Sequence, residues 1–328
     1  MCGAAGLFET APRASPAAAA DRPPANQERP MDDLFHNPPR TIVLATDLSA
    51  RCDRAFDRAV SLARRWDAEL IALTVVEADA AAQQREPLPA WRRKATAAEL
   101  AQRQLRADLA GVGIRAGSRI AHGEVASAIL EAAADSGAGL IVTGLSRDET
   151  LGRFSAGDTV DRLARRAGVP LLVVRKRAHG DYRRIVAASD FSDASRRALE
   201  TAASWFDAAV LTLLHAYDPP YAKLMDRSAM REDFRAVAVE DCERFVATLA
   251  PELRARLATR VELGAPEDLL DDYAIESDSD LAVLGSHGRS ALYDIMIGSV
   301  ARRVLEQTAI DVLLVPEPKA AGSRAAGV

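Results

Sequence analysis

A single internal repeat constrains the fold of this chain more than any other feature of its sequence. Residues 40–49 read Arg-Thr-Ile-Val-Leu-Ala-Thr-Asp-Leu-Ser, and residues 183–192, which lie 143 positions further on, read Arg-Arg-Ile-Val-Ala-Ala-Ser-Asp-Phe-Ser. Both segments are predicted to be buried strands that end in Asp-x-Ser. Because a chain of 328 residues is more than twice the roughly 150 typical of one domain, the repeat predicts two similar domains in tandem.

Strands and helices are predicted to alternate within each copy. Nearly continuous apolar runs, typical of strands covered on both faces, occur at 70–76, 140–144, 171–174, 210–216, 281–285 and 312–315. A further strand in each copy is predicted to lead to Gly123 or Gly264. The alternation predicts an α/β fold, with two tandem, doubly wound, parallel five-stranded sheets of the Rossmann-like type and helices on both faces. Such sheets bind ligands outside the carboxyl ends of their strands.

The repeat also sets the expected domain boundaries. The first domain is predicted at 38–178 and the second at 181–318. Residues 1–37, rich in Ala and Pro, are predicted to be a disordered tail, and residues 319–328 a flexible one.

Composition limits the classes of partner. Lys and Arg number 42 against 47 Asp and Glu, a formal charge of −5, so no nucleic-acid surface is predicted. No apolar run reaches the length of about 18 residues that spans a bilayer, so no membrane contact is predicted. The cysteines, Cys2, Cys52 and Cys242, are odd in number and lack metal-site spacing, so a reducing cytoplasm is the expected location.

One motif in the second copy indicates phosphate binding. After the strand at 281–285, Gly285, Gly288, Gly298 and Ser299 form the pattern G-x2-G-x9-G-S. The pattern closes a predicted strand and opens a predicted helix, and its glycines allow backbone amides to approach an anion closely. Gly298 and Ser299 are then expected at a helix N-terminus, where N–H groups and the helix dipole favour phosphate oxygens.

The Asp-x-Ser strand ends, the glycine after the third strand, the G-x2-G-x9-G-S motif and the apolar last strand together resemble a tandem-type universal stress protein over residues 38–318. The resemblance implies that the motif binds the ribose and phosphates of ATP, with or without Mg²⁺, and that the Asp of the first strand lies beside the nucleotide. The ATP site implied for the second copy consists of Asp190, Gly285, Ser286, His287, Gly288, Arg289, Gly298 and Ser299.

Some of these residues have a structural alternative. Asp190 is favoured as a nucleotide contact, but an Asp at this position also caps helices well. His287 either donates to a phosphate or faces solvent, and Arg289 either steers phosphate or is solvated. His215, at the end of the second strand of this copy, is predicted to cap that strand rather than to contact adenine.

The first copy departs from the motif. Gly144 is present, but Arg147 stands in place of the second glycine, and Gly157 is followed by Asp158 instead of Ser or Thr. At about 5 Å and an effective dielectric near 20, a carboxylate repels each phosphate charge by roughly 3 kcal/mol, about a hundredfold in affinity. It also caps the helix amides that a phosphate would otherwise use. One nucleotide site per chain is therefore expected, in the second copy.

The last strand of each copy is apolar, so its edge would tend to pair with another chain if it were exposed. In proteins that this chain resembles, such edges pair the domains, which implies an internal pseudo-dimer. Further dimerisation into a homodimer and an unidentified protein partner stay open.

The leading hypothesis is an ATP-binding stress-response regulator with no strong catalysis and at most slow ATP hydrolysis. The sequence has no G-x4-G-K-[ST] loop, no H-E-x-x-H pair and no Lys between Leu224 and Pro318, which argues against efficient phosphoryl transfer. Two alternatives are an interaction scaffold that binds no nucleotide and a weak ATPase on the same fold.

Overall fold

Ten strands, joined edge to edge, form one continuous sheet. The structure, a computed structural model, describes residues 33–76, 95–144, 158–218, 228–286 and 297–317. The strands of the first half are β1 (Thr41–Ala45), β2 (Glu69–Val76), β3 (Ala116–His122), β4 (Leu140–Gly144) and β5 (Leu171–Val174). Those of the second half are β6 (Arg184–Ala188), β7 (Val210–Tyr217), β8 (Leu257–Leu263), β9 (Leu281–Gly285) and β10 (Asp311–Val315).

Helices connect these strands. The first half contains α1 (Asp33–His36), α2 (Asp53–Trp66), α3 (Ala97–Leu109), α4 (Val125–Asp135) and α5 (Asp158–Arg166). The second half contains α6 (Asp193–Trp205), α7 (Ser228–Ala247), α8 (Pro251–Arg254), α9 (Pro266–Glu276) and α10 (Ser299–Gln307).

The strand order shows the two-fold repetition directly. It runs β3-β2-β1-β4-β5-β10-β9-β6-β7-β8, and neighbouring strands are parallel within each half. Alternate side chains of a strand enter separate core layers, as Ile42 and Leu44 do on one face of β1 and Val43 and Ala45 on the other. Burial on both faces explains the continuous apolar runs of the sequence. The predicted α/β fold class with tandem doubly wound halves is confirmed.

The last residues before β1 form a helix, although the sequence predicts a disordered tail there. Residues 33–37 belong to the predicted tail, yet Asp33–His36 forms α1, which packs against α6. The side chain of Phe35 is only 2% exposed and lies near the guanidinium of Arg197, whose carbon is 5.9 Å from the ring centroid. The hydroxyl of Ser204 in α6 also donates to the carbonyl of His36. The buried Phe35 ring and this bond hold the short helix, and composition did not reveal either contact. Residues 1–32 of the predicted tail lie outside the described residues.

The two halves join through their last strands. β10 pairs antiparallel with β5, in the register Val312 to Val173, Leu313 to Leu172 and Leu314 to Leu171. The predicted pairing of the halves is confirmed, and it merges the two five-stranded sheets into one.

A buried carboxylate lies beside this junction. Asp311, with no exposed surface, accepts hydrogen bonds from the backbone N–H groups of Arg175 (2.7 Å) and Lys176 (2.8 Å) and from the hydroxyl of Tyr182 (2.6 Å). The Nε atom of Arg58, from α2 of the first half, is 3.6 Å from the same carboxylate. Buried charges are stable only when paired and hydrogen-bonded in this way.

The two arginines of this cluster are held by carbonyl groups as well. Arg58 donates to the carbonyl of Gly180 at 2.7 Å, and its guanidinium lies 4.0 Å from the centroid of the Tyr182 ring. Arg175 donates to the carbonyls of Thr308 and Leu305 in the second half. Burial lowers the pKa of Arg175 to about 10, and Asp311 partly offsets this effect, so the guanidinium is charged at neutral pH. The cluster therefore ties α2 and β5 to the start of β10.

Equivalent glycines at the ends of β4 and β9 have different surroundings. A Cβ added to Gly285 would lie 3.0 to 3.1 Å from atoms of Ala194, two of which belong to the backbone. The nearest atom to a Cβ on Gly144 would be the carbonyl oxygen of Arg51, at 3.5 Å. The first turn of α6 therefore packs against the end of β9 more closely than a side chain allows, whereas the corresponding contact in the first half leaves room.

Asp311→Ala is expected to lower the free energy of unfolding by about 3–5 kcal/mol. The substitution leaves the buried guanidinium of Arg58 without its carboxylate, and it leaves the N–H groups of Arg175 and Lys176 and the hydroxyl of Tyr182 without their acceptor. Asp135→Ala is the control, since it breaks the exposed Arg119–Asp135 pair (2.7 Å) and is expected to cost at most about 1 kcal/mol. Urea unfolding measures both. Equal midpoints for the two variants would show that the buried cluster contributes no more than a surface pair.

Gly285→Ala is expected to cost about 1–3 kcal/mol, because backbone atoms of α6 must move away from the new Cβ. Gly144→Ala, the matched substitution in the first half, is expected to be nearly neutral. Thermal unfolding of the two variants in parallel tests the difference, and a similar loss in both would contradict the packing account.

Candidate functional site

A pocket of about 160 Å³ opens at the carboxyl ends of β6, β7 and β9. In the sheet, β6 lies between β7 and β9, and the chain leaves β6 on the β7 side. Parallel sheets of this type usually bind their ligands at such a point. The polar side of the lining consists of Ser189, Asp190, Ser195, Gly285, Gly298 and Ser299. The remaining lining residues are Ala188, Leu214, Ala216, Pro266, Leu284, Val300 and Ala301.

Asp190 stands where β6 turns into α6. The turn passes through Phe191, which has a left-handed φ of 62°, a strained value for a residue other than glycine. The carboxylate of Asp190 accepts from the backbone N–H (3.0 Å) and the hydroxyl of Ser192. Ser192 in turn caps α6 by accepting from the N–H of Ser195. Asp190 thus supports the helix cap and lines the pocket at once, so the two sequence-based alternatives are compatible.

Hydroxyl and imidazole groups brace the floor of the pocket. The hydroxyls of Ser189 and Ser195 are 2.9 Å apart, and the Nδ1 atom of His215 donates to the carbonyl of Ser189 at 2.8 Å. The ring of His215 also stacks on Phe191, with centroids 4.1 Å apart. The contact therefore joins His215, within β7, to the carbonyl that follows β6, and it is not the cap on its own strand that the sequence predicted. The sequence did not indicate a role for Ser189, Ser195 or Phe191, because no motif in a single sequence marks these contacts.

The amino end of α10 forms the opposite wall. Gly298 is its N-cap residue and offers no side chain to the amides of the first turn, and that turn contains no acidic residue. Ser299, the first residue of α10, is exposed at the pocket. Arg303 of the same helix pairs with Glu267 of α9 at 2.9 Å. This arrangement presents the positive end of a helix dipole to the pocket.

The residues predicted for the site divide into three groups. Asp190, Gly285, Gly298 and Ser299 all line the pocket. Ser286 lies behind it, only 2% exposed, with its N–H bonded to the carbonyl of Val315 and its carbonyl bonded to the N–H of Gly298, both at 2.9 Å. Its backbone therefore fixes the start of α10 relative to the sheet. His287, Gly288 and Arg289 lie outside the described residues.

The first half contains an equivalent pocket of about 230 Å³. Its polar lining residues are Thr46, Asp47, Arg51, Cys52, Thr143 and Thr159. The helix on its far side, α5, begins with Asp158 and has a second acid, Asp161, in its first turn. The sequence predicts an acid at the start of this helix in the first half and a serine in the second half. In the structure, Asp158 and Ser299 are the first residues of the equivalent helices α5 and α10. Arg147 and Gly157 lie outside the described residues.

Within the described ranges, no cluster of three or more His, Cys, Asp or Glu side chains is placed to hold a metal ion. Of the helices in these ranges, none combines the length and apolarity needed to cross a membrane.

Several solved structures share the fold. A functionally unknown protein from Pseudomonas aeruginosa has a TM-score of 0.63 at 20% identity, over 88% of this chain and 95% of that one. A universal stress protein from Archaeoglobus fulgidus has a TM-score of 0.57 at 16% identity, over 84% of this chain and 98% of that one. At sequence identities this low, the structural similarity shows that the tandem fold is shared and nothing more.

Sequence comparison identifies the family. A universal stress protein of Methanocaldococcus jannaschii is 30% identical over 143 residues, 42% of this chain and 84% of that protein. One from Mycobacterium tuberculosis is 29% identical over 140 residues, 41% of this chain and 96% of that protein. The pattern of the universal stress protein family matches residues 39–175 and again residues 181–316. Because these two matches cover most of the chain, the protein belongs to the universal stress protein family, with two copies of the family's domain.

Proposed function

We propose that the second half binds one molecule of ATP and that the protein acts as a nucleotide-dependent regulator without strong catalytic activity. The observation that carries the proposal is the pocket at the carboxyl edge of the sheet, bounded by Asp190 on one side and by the glycine-capped start of α10 on the other.

The phosphates are assigned to the α10 side. Amides at a helix start point toward an anion, and the helix dipole adds favourable potential. Ser299 supplies a hydroxyl donor at the same place, and no acidic side chain in the first turn opposes a phosphate. The G-x2-G-x9-G-S motif also contains Gly288, and the lack of a side chain on a glycine favours close approach of an anion to the backbone.

The nucleoside is assigned to the Asp190 side. A carboxylate repels phosphate but accepts hydrogen bonds from sugar hydroxyl groups. Leu214, Ala216 and Pro266 add apolar surface against which a base can pack. Among the described residues that line the pocket, only Asp190 carries a carboxylate, so Mg²⁺ that accompanies ATP would be held chiefly by the phosphate oxygens.

Binding without rapid turnover is consistent with the groups that the site offers. Efficient phosphoryl transfer requires a positioned nucleophile, metal-binding acids and a cation near the γ-phosphate. The carboxylate of Asp190 is already engaged with Ser192. A ligand at 100 times its dissociation constant stabilises the state it prefers by about 2.7 kcal/mol, which is enough for regulation.

Calorimetric titration of nucleotide-stripped protein with ATP and Mg²⁺ is expected to show one site per chain. Ser299→Asp copies the first-half residue into the second half and is expected to weaken binding about a hundredfold by charge repulsion. Ser299→Ala removes the hydroxyl without adding charge and is expected to cost only a few-fold.

Gln307→Glu is the matched charge control. It adds the same charge at the far end of α10, about 12 Å from Ser299 along the helix, beyond the Debye length of about 8 Å at physiological salt. ATP affinity is expected to stay unchanged. Absence of binding by the wild-type protein would favour the scaffold alternative, and turnover that is lost in Asp190→Ala would favour the weak ATPase.

A further inference from the structure

The outer edge of the sheet in the second half has no role in the function proposed above. β8 is the last strand there, and it pairs with β7 on one side and with no described strand on the other. The N–H of Gly264, the residue after β8, donates to the carbonyl of Tyr217 in β7. Backbone groups alternate in direction along a strand, so every second residue of β8 turns its N–H and C=O away from β7. These residues are Leu257, Thr259, Val261 and Leu263.

The side chains of β8 are also open to solvent. Ala258, Thr259, Arg260 and Glu262 are exposed, and the other residues of the strand are only half-buried. Arg260 and Glu262 lie on the same face of the strand, and neither forms an ion pair with another residue in the described ranges. This edge therefore carries two charges of opposite sign that have no partner within the described part of the chain.

A groove of about 310 Å³ separates this edge from the helix above it. The wall formed by α7 includes Arg235, Val239 and Glu243, and the wall formed by β8 consists of residues 259–262. Large apolar side chains are exposed on α7 as well, with Phe234 at 37% and Val237 at 58%. α7 therefore leaves the edge of β8 accessible.

A second copy of β8 fits this edge in an antiparallel register centred on Val261. Outward-pointing residues then face one another, with Val261 opposite its own copy and Thr259 opposite Leu263. In the same register, Arg260 of each chain faces Glu262 of the other. These two charged pairs are of the non-hydrogen-bonded type, in which the Cα atoms are about 4.5 Å apart and opposite charges attract most strongly.

The charges favour this register over its neighbours. A centre at Arg260 or at Glu262 would place identical charges directly opposite each other, which destabilises a strand pair. Charged residues on an edge strand often prevent pairing, but they do so by repulsion between copies. Because β8 carries one charge of each sign, two residues apart, the copies attract each other in the register centred on Val261.

α7 shows the same symmetry. Arg235, Val239 and Glu243 follow one another at four-residue intervals and share the face of α7 that lines the groove. A two-fold axis that relates β8 to its copy also makes the two α7 helices antiparallel. With Val239 near its own copy, Arg235 of each chain faces Glu243 of the other. Stable interfaces bury about 1,200–2,000 Å² in total, more than a short edge strand provides, so α7 supplies the remaining contact area.

The opposite edge of the sheet lacks these features. In β3, Arg119 and Ala121 stand at the positions equivalent to Arg260 and Glu262, so the acid is missing. Arg119 is already paired with Asp135 at 2.7 Å. The charges needed to hold a second copy are therefore present on β8 and absent from β3.

We infer that β8 and α7 form the interface of a homodimer, in which two copies of this chain pair antiparallel through β8 with Val261 at the two-fold axis. The ten-stranded sheets of the two chains then form one sheet across the interface. The inference does not depend on nucleotide binding, because none of the residues that line the ATP pocket belongs to β8 or α7.

Sedimentation velocity of the full-length protein tests the interface. Because a dimer forms by mass action, the measurement covers about 1 to about 100 µM protein, and the wild type is expected to become dimeric within this range. Arg260→Glu and Glu262→Arg each place like charges in both close pairs, and each is expected to weaken dimerisation at least about tenfold. Both side chains are exposed, so circular dichroism is expected to be unchanged.

Mixing the two variants separates lost charge complementarity from damage to the strand. The Arg260→Glu chain carries two acids on this edge, and the Glu262→Arg chain carries two bases. An equimolar mixture is therefore expected to form a heterodimer about as readily as the wild type forms its homodimer. The double variant Arg260→Glu/Glu262→Arg exchanges the charges within one chain and is expected to dimerise again.

Arg119→Glu is the matched control, since it makes the same substitution at the equivalent position of β3. It is expected to leave dimerisation unchanged. A wild type that stays monomeric throughout the concentration range would overturn the inference. A dimer that resists both single substitutions, or single variants that stay monomeric when they are mixed, would overturn it as well.

Discussion

The antiparallel contact between β5 and β10 is the interaction on which the rest of the structure depends. It covers two apolar strands that would otherwise be exposed edges, and it places Asp311 where Arg58, Arg175 and Tyr182 can surround it. Because strands are parallel within each half and antiparallel only at this junction, the carboxyl ends of the two halves face opposite edges of the sheet. The two pockets therefore open on opposite sides of one continuous sheet.

Within that core, the two halves differ most in the chemistry of one helix start. Both first strands end in an Asp that is held by a left-handed turn, and both pockets lie beside that Asp. The helix beside the pocket then begins with Gly298 and Ser299 in the second half and with Asp158 in the first half. A difference of one charge at a helix N-terminus changes the local electrostatic potential toward anions, because the backbone amides and the helix dipole act on charge directly.

The packing around the pockets shows how function and stability share residues. Asp190 supports the cap of α6 and lines the pocket. Gly285 is required by the close approach of Ala194 and belongs to the proposed phosphate wall. Ser286, the residue after that glycine, is held on both sides through its main chain. Its buried backbone bonds connect β9, β10 and α10, so this residue aligns the site from behind.

The sequence by itself determined the tandem repeat, the fold class, the limits of β4 and β9 and the place of the motif at the start of α10, because these depend on local hydrophobic pattern and on glycine. It also indicated the difference between Asp158 and Ser299. Only the tertiary structure decided that Asp311 lies buried among arginines, that His215 braces Ser189, that Phe35 anchors a helix at 33–36 and that Ser286 lies behind the pocket. These features depend on contacts between residues far apart in the chain, whose register and burial no local pattern encodes.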